Sequence, residues 1–173
     1  MLSTIVKSEK ILVIIFFLAV MLFAAREVLP TEIDDVSPEL NCPEIDTYNP
    51  DILYVIPDFN NKPISQNVDW CNYISSLNKT LELHGIHHWP YEEFKTQTIT
   101  QADIDFAVYR FETCFGERPD KFKPPQLAIS QNNKNVIERS GLKLELNSYI
   151  LHKVYHCSDT GVRSNNAVFF FKT

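Results

Sequence analysis

Glycine is scarce in this chain, four residues in 173. With neither a GxGxxG nor a GxxxxGK[ST] pattern present, the glycine-rich loops that cradle nucleotide phosphates have no candidate here. Basic side chains are also in the minority, 16 Lys and Arg against 22 Asp and Glu, for a formal net charge of -6. Nucleic-acid binding rests on clustered cations that neutralise phosphates, so a nucleic-acid partner is not expected. The four cysteines, Cys42, Cys71, Cys114 and Cys157, form no CxxC and are too widely spaced for a zinc ribbon. They leave three disulfide pairings open. Free buried thiols are the alternative for Cys71 and Cys114, which fall near the apolar sides of predicted helices.

What is present describes one globular domain behind an apolar leader. The length suits a single ordinary domain, and 45% hydrophobic with 22% charged residues is a folding composition. Residues 11–25 (ILVIIFFLAVMLFAA) are uninterruptedly apolar, preceded by Lys7 and Lys10 and followed by Arg26. Fifteen residues at 1.5 Å each span about 22 Å, short of a ~30 Å hydrocarbon core, a gap that snorkelling of Lys10 and Arg26 can cover. Small residues are missing where a signal peptidase wants them: Phe23 stands two before Ala25, and Leu22 two before Ala24. Residues 1–26 therefore read as an uncleaved signal anchor and 27–173 as the domain, with a cleaved secretory signal as the alternative. The lysines before the run put the domain on the extracellular or lumenal side of a single-pass membrane protein, or outside the cell if secreted.

Strand and helix patterns alternate along the domain. Val28–Ile33 predicts a first strand with Asp34 and Asp35 at its end, and 36–50, with three prolines among acids, reads as a loop. A buried strand is expected over 52–57, a helix over Val68–Leu81, and a strand over 81–84. Thr100 with Asp103 resembles a capping box opening a helix that carries Ile104, Val108, Phe111 and Phe115 on one face and stops at Gly116. A helix over Asn132–Ser140 and strands over Leu142–Leu146, Ile150–Tyr155 and Ala167–Phe171 complete the pattern. Such alternation implies an α/β fold with parallel pairing, whose functional residues gather at the carboxyl ends of the strands.

Three of the five histidines fall in one pentapeptide, His84-Gly85-Ile86-His87-His88. Two neutral imidazoles and one carboxylate bind Zn²⁺ with a coordination position left open for water. Asp34 and Asp35 offer two adjacent carboxylates, one to ligate and one to act as base. The plainer alternatives are a histidine-rich turn and an acidic loop. A helix-borne metalloprotease is not supported, because HGIHH lacks the glutamate of H-E-x-x-H. Asp58, at the end of the 52–57 strand, is a fallback carboxylate, though a turn or N-cap role suits it better. Trp70 invites a sugar-stacking reading, but its helical spacing with Tyr73 and Leu77 is that of a core residue. Asn78-Lys79-Thr80 is a glycosylation sequon.

Three segments together, Ile33-Asp34-Asp35-Val36-Ser37-Pro38, Leu83-His84-Gly85-Ile86-His87-His88 and Phe122-Lys123-Pro124-Pro125, resemble the motifs of the polysaccharide deacetylase (NodB-like) superfamily, with Tyr54-Val55-Ile56-Pro57 between the first two. The second motif is similar to that of a branch reading L-H-G-x-x-H, and the likeness covers roughly residues 31 to 157. The resemblance implies a distorted (β/α) barrel, for which this chain ends early. It also implies a divalent metal, zinc by ligand type, and removal of N-acetyl groups from a carbohydrate. Carried over residue by residue, Asp34 falls on the base, and Asp35, His84 and His88 on the metal ligands. His152, which follows Leu151, and His156 are the two candidates for the acid that protonates the leaving amine, with His152 the closer match. The arginine often found near the third motif is absent; Lys121 and Lys123 stand nearby. A catalytically inactive, membrane-anchored glycan-binding protein of the same fold is the competing function.

Overall fold

The computed structural model describes residues 2–89, 93–147 and 152–157, with side chains from residue 10 onward. The first element is a long helix, α1 (Leu2–Val28). Within it Lys10–Val28 forms a 19-residue stretch of mean hydropathy 2.5 that is only 6% buried inside the protein. Its length, about 28 Å at helical rise, is close to the ~30 Å of a bilayer core. The fifteen apolar residues alone fall short, and the helix makes up the difference by running on through Arg26 to Val28. By length and composition this one helix can cross a membrane. Its end is tied to the domain: Arg26 is buried, and Glu27 pairs with Lys153 at 2.6 Å.

Among the described residues six parallel strands follow, in the spatial order β5-β4-β3-β2-β1-β6. They are β1 (Thr31–Val36), β2 (Ile52–Val55), β3 (Thr80–His84), β4 (Lys121–Lys123), β5 (Lys143–Leu144) and β6 (Lys153–His156). The expected barrel does not close among the described residues, since β5 and β6 stand at opposite edges of the sheet. The first strand is displaced from the expected Val28–Ile33, because α1 runs on to Val28, and Asp34 and Asp35 lie inside β1 rather than at its end. The strands expected over 52–57 and Leu142–Leu146 are shorter, and Ala167–Phe171 lies outside the described residues. The helices of the domain are α2 (Glu44–Tyr48), α3 (Val68–Ser76), α4 (Glu93–Thr96), α5 (Gln101–Phe115) and α6 (Gln131–Arg139). Sequence reading put a loop at α2 and missed α4, both too short to show a period. It also carried α3 five residues too far: Asn78 turns left-handed at φ 53, and β3 begins at Thr80.

The central strands are buried on both faces, as β2 illustrates with all four residues inside. Ile33, Leu53, Val55, Leu83 and Phe122 from the sheet meet Ile74 of α3, Ile104, Val108 and Phe111 of α5, and Ile137 of α6. The capping box of α5 forms: the Thr100 hydroxyl accepts from Asp103 N–H at 3.3 Å, and the Asp103 carboxylate accepts from Thr100 N–H at 2.8 Å. Trp70 packs on Phe115 with ring centroids 6.0 Å apart, so it belongs to the core rather than to a sugar platform.

Two disulfides resolve the pairing that the sequence left open. Cys71–Cys114 staples α3 to α5 beneath the sheet. Cys42–Cys157 joins the loop after β1 to the residue just beyond β6, next to His156. Cross-links of this kind belong to oxidising compartments.

Candidate metal centre

The carboxyl ends of β1, β3, β4 and β6 meet above the sheet, and each delivers a polar side chain to the same place. A regular strand would turn Asp34 and Asp35 to opposite faces. Here β1 carries one extra residue relative to β2: Ile33 pairs with Leu53, but Val36 pairs with Val55. The bulge is at Asp35, whose φ of 65° is left-handed. It swings Asp35 round to the side of its neighbour, so that both carboxylates line one cavity of about 260 Å³.

On β3 the same need is met by glycine. Gly85 has φ 66°, and a Cβ there would sit 2.6 Å and 2.9 Å from the Pro125 ring and 3.0 Å from a Glu93 carboxylate oxygen. The chain turns sharply after His84 and brings His88 back beside it, ring centroids 5.3 Å apart. Glu93, 1% exposed, holds this loop from beneath. Its carboxylate accepts from three successive backbone N–H groups, Ile86 at 3.4 Å, His87 at 3.0 Å and His88 at 3.1 Å. Gly85→Ala is expected to lower stability by about 1–3 kcal/mol, because a strained φ and a close contact with the proline ring add together. Urea unfolding measures this; an unchanged midpoint would mean that the loop relaxes freely.

The ligand atoms then converge. Asp35 Oδ1 lies 3.1 Å from His84 Nε2 and 2.8 Å from His88 Nε2. Ligands around a tetrahedral ion with bonds of about 2.0–2.1 Å stand roughly 3.3 Å apart, so this is the spacing of a metal triad. Asp35, His84 and His88 have ligand atoms all within 4.8 Å of one another. Two further observations fit a cation. Asp35 Oδ1 is buried yet makes no hydrogen bond, although two imidazole nitrogens face it. His84 Nδ1 lies 3.1 Å from the Lys123 carbonyl, which can only accept. The proton therefore sits on Nδ1, and the Nε2 lone pair is left for a metal.

Burial pushes the Asp35 carboxyl up, but the imidazoles of His156, His84 and His88 set around it outweigh burial and hold the group well below the usual carboxylate range. Burial pulls the His88 imidazole down, and the Asp35 carboxylate more than restores it, leaving a net rise.

The other predicted site residues divide into two sets. His156 enters the cavity, with Nδ1 2.9 Å from the second oxygen of Asp35. Asp34 also lines it, but its Oδ1 is held at 2.8 Å by the ammonium of Lys123, 1% exposed at the end of β4. Lys123 spans to Glu32 as well, at 2.9 Å, and Glu32 in turn binds His152. His152 thus faces a buried carboxylate and does not line the cavity. Asp58 lies elsewhere, paired with Arg110 and, at 3.0 Å, with His87. Two contributors escaped sequence reasoning. Glu93 carries no motif, and the pairing of Lys123 with Asp34 needed the sheet, although the lysine was visible in the third motif.

Comparison with known proteins gives a likeness of fold. No family model matches the chain, and no curated protein does. Among solved structures, a CE4 family pseudoenzyme from Bacillus anthracis matches with a TM-score of 0.51 at 10% identity, covering 66% of this chain and 41% of that one. A mutant CE4 family pseudoenzyme matches equally, with a TM-score of 0.51 at 11% identity over 66% of this chain and 42% of that chain. The chain thus spans about two fifths of the length of these structures. A deacetylase with substrate is more distant, TM-score 0.42 at 10% identity over 80% of this chain and 94% of that one. The shared feature is the parallel sheet with helices packed against it, consistent with the fold of the CE4 deacetylases.

Proposed function

We propose that this chain is a metal-dependent hydrolase that removes N-acetyl groups from a carbohydrate, held at a membrane by residues 1–26 with its domain, 27–173, on the extracellular or lumenal side. The observation that carries the reading is the convergence of Asp35, His84 and His88 at one point, with a carboxylate, Asp34, and an imidazole, His156, lining the same cavity. A divalent ion held by those three ligands, zinc by their N and O donors, would polarise an acyl oxygen and lower the pKa of water.

The chain's own groups then divide the proton work. Asp34 is the base, one oxygen held by the Lys123 ammonium while its side chain lines the cavity. An amine leaving group needs a proton, and His156 is better situated to deliver it than His152, because His156 lines the cavity while His152 is engaged by Glu32. Asp35, through its second oxygen, fixes the His156 ring. Glu93, through its three backbone hydrogen bonds, holds the histidine loop.

The test pairs metal content with acetate release. The full chain is expected to hold about one equivalent of divalent metal and to release acetate from N-acetylglucosamine oligomers. His156→Ala is expected to slow that release ~10²–10⁴-fold with metal retained, while His152→Ala keeps its metal and acts less on rate. Equal loss in both variants would move the acid away from His156. A second reading, a glycan-binding protein without activity, is favoured by the fold neighbour that is itself a pseudoenzyme. Metal binding without acetate release would decide for it.

A further inference from the structure

We propose that Asn78 is an N-glycosylation site, used when the chain passes into a lumenal compartment. Asn78-Lys79-Thr80 is the one Asn-x-Ser/Thr triplet in the chain. Such a triplet can carry a glycan only where its asparagine is exposed. Asn78 is exposed, with φ 53° at the tip of the turn between α3 and β3, so its side chain projects from the surface. Thr80 is exposed as well, at the first position of β3. Lys79 between them is drawn aside, its ammonium donating to the Asn49 side chain at 2.7 Å, and it leaves the acceptor uncovered.

Position in the fold makes a glycan compatible with function. Asn78 precedes β3, whereas the candidate metal centre occupies the opposite, carboxyl ends of the strands. Thr80 to His84 spans roughly 13 Å along β3, so a glycan on Asn78 stands at the far end of the sheet from the cavity. The two disulfides are those of a chain that meets an oxidising lumen, where the transferase also works. The apolar helix ends at Val28, fifty positions upstream, which leaves ample chain for the acceptor to clear the bilayer during translocation.

In the step itself, the Asn78 amide nitrogen attacks the anomeric carbon of a lipid-diphosphate-linked oligosaccharide. A C–N bond forms, the C–O bond to the lipid diphosphate breaks, and the amide gives up one proton. No oxidant or reductant is needed.

The experiment expresses the full chain in a eukaryotic host with an intact secretory pathway and reads its mass with and without peptide N-glycosidase. One discrete upward shift, removed by the glycosidase, is expected. Asn78→Gln should abolish it. Thr80→Ala should abolish it too while leaving the asparagine and its left-handed turn in place, which guards against a variant that fails for want of folding. Thr80→Ser should retain it. A parent chain without the shift overturns the proposal, as does a shift that survives both Asn78→Gln and Thr80→Ala.

Discussion

His84→Ala is expected to abolish divalent-metal binding at the proposed site and take any acetate release down to background. The residue is 2% exposed and supplies one of three converging ligand atoms, so its loss leaves one imidazole and one carboxylate, too few for a closed zinc site. The effect reads most cleanly as linkage. At a free metal concentration of 100 times Kd the parent gains about 2.7 kcal/mol from binding, visible as a metal-dependent rise in Tm. The variant should show no such rise, while its metal-free stability falls by an ordinary ~0.5–3 kcal/mol. Asp35→Asn should behave alike, because a neutral amide lacks the charge that draws the cation. A metal-dependent Tm rise that persists in His84→Ala would mean that the ion binds elsewhere.

The candidate site was legible in sequence where its side chains sit at the ends of strong elements, and illegible where placement depended on backbone irregularity. Leu81 to His84 announces a strand running into a histidine loop, and the structure brings His84 and His88 together. The pair Asp34-Asp35 was visible as two carboxylates, but alternation along a strand would separate them; only the bulge with Asp35 at φ 65° unites them. Nothing in the composition marks that bulge, since aspartate is an ordinary strand-end residue. His152 and His156 could not be told apart by a period of two. What separates them is the strand beside β6, where register sets His156 against Asp34 and His152 falls just before the pairing begins at Lys153. Glu93 was invisible for another reason: its partners are main-chain N–H groups, and those leave no trace in a side-chain pattern. For the fold, the capped helix α5 and the buried strands were readable because each has a period or a cap. The one-turn helices α2 and α4 have neither.

Lys123→Met is expected to destabilise the domain by about 3–5 kcal/mol at neutral pH, through charge rather than packing. Methionine nearly matches the lysine stem in volume, so little cavity opens. What disappears is the ammonium that sits between Glu32 at 2.9 Å and Asp34 at 2.8 Å, with all three groups almost wholly buried. The ammonium also lies 4.6 Å from the centre of the Tyr54 ring, a cation–π contact that methionine cannot replace. Burial pulls the Lys123 ammonium down, but the Asp34 and Glu32 charges outweigh it and raise its pKa. Its contribution is therefore fully present below the unfolded-state value of about 10.4 and is lost as pH rises through the higher folded value. For Glu32, burial pushes up while the His152 hydrogen bond and the Lys123 charge pull further down, for a net decrease. That contribution is present above about 4.3 and is lost as pH falls through the lower folded value. The parent should thus hold its stability across the neutral range and lose it toward both extremes. Without the ammonium the buried Glu32 carboxylate gains by taking up a proton, so the gap between parent and variant should narrow as pH falls toward about 4–5. Urea unfolding at neutral and acid pH measures both quantities, and Lys123→Arg, which keeps the charge, should recover most of the loss. A methionine variant as stable as the parent at neutral pH would show that Glu32 and Asp34 do not need the cation, and the part given to Lys123 in orienting the base would fall with it.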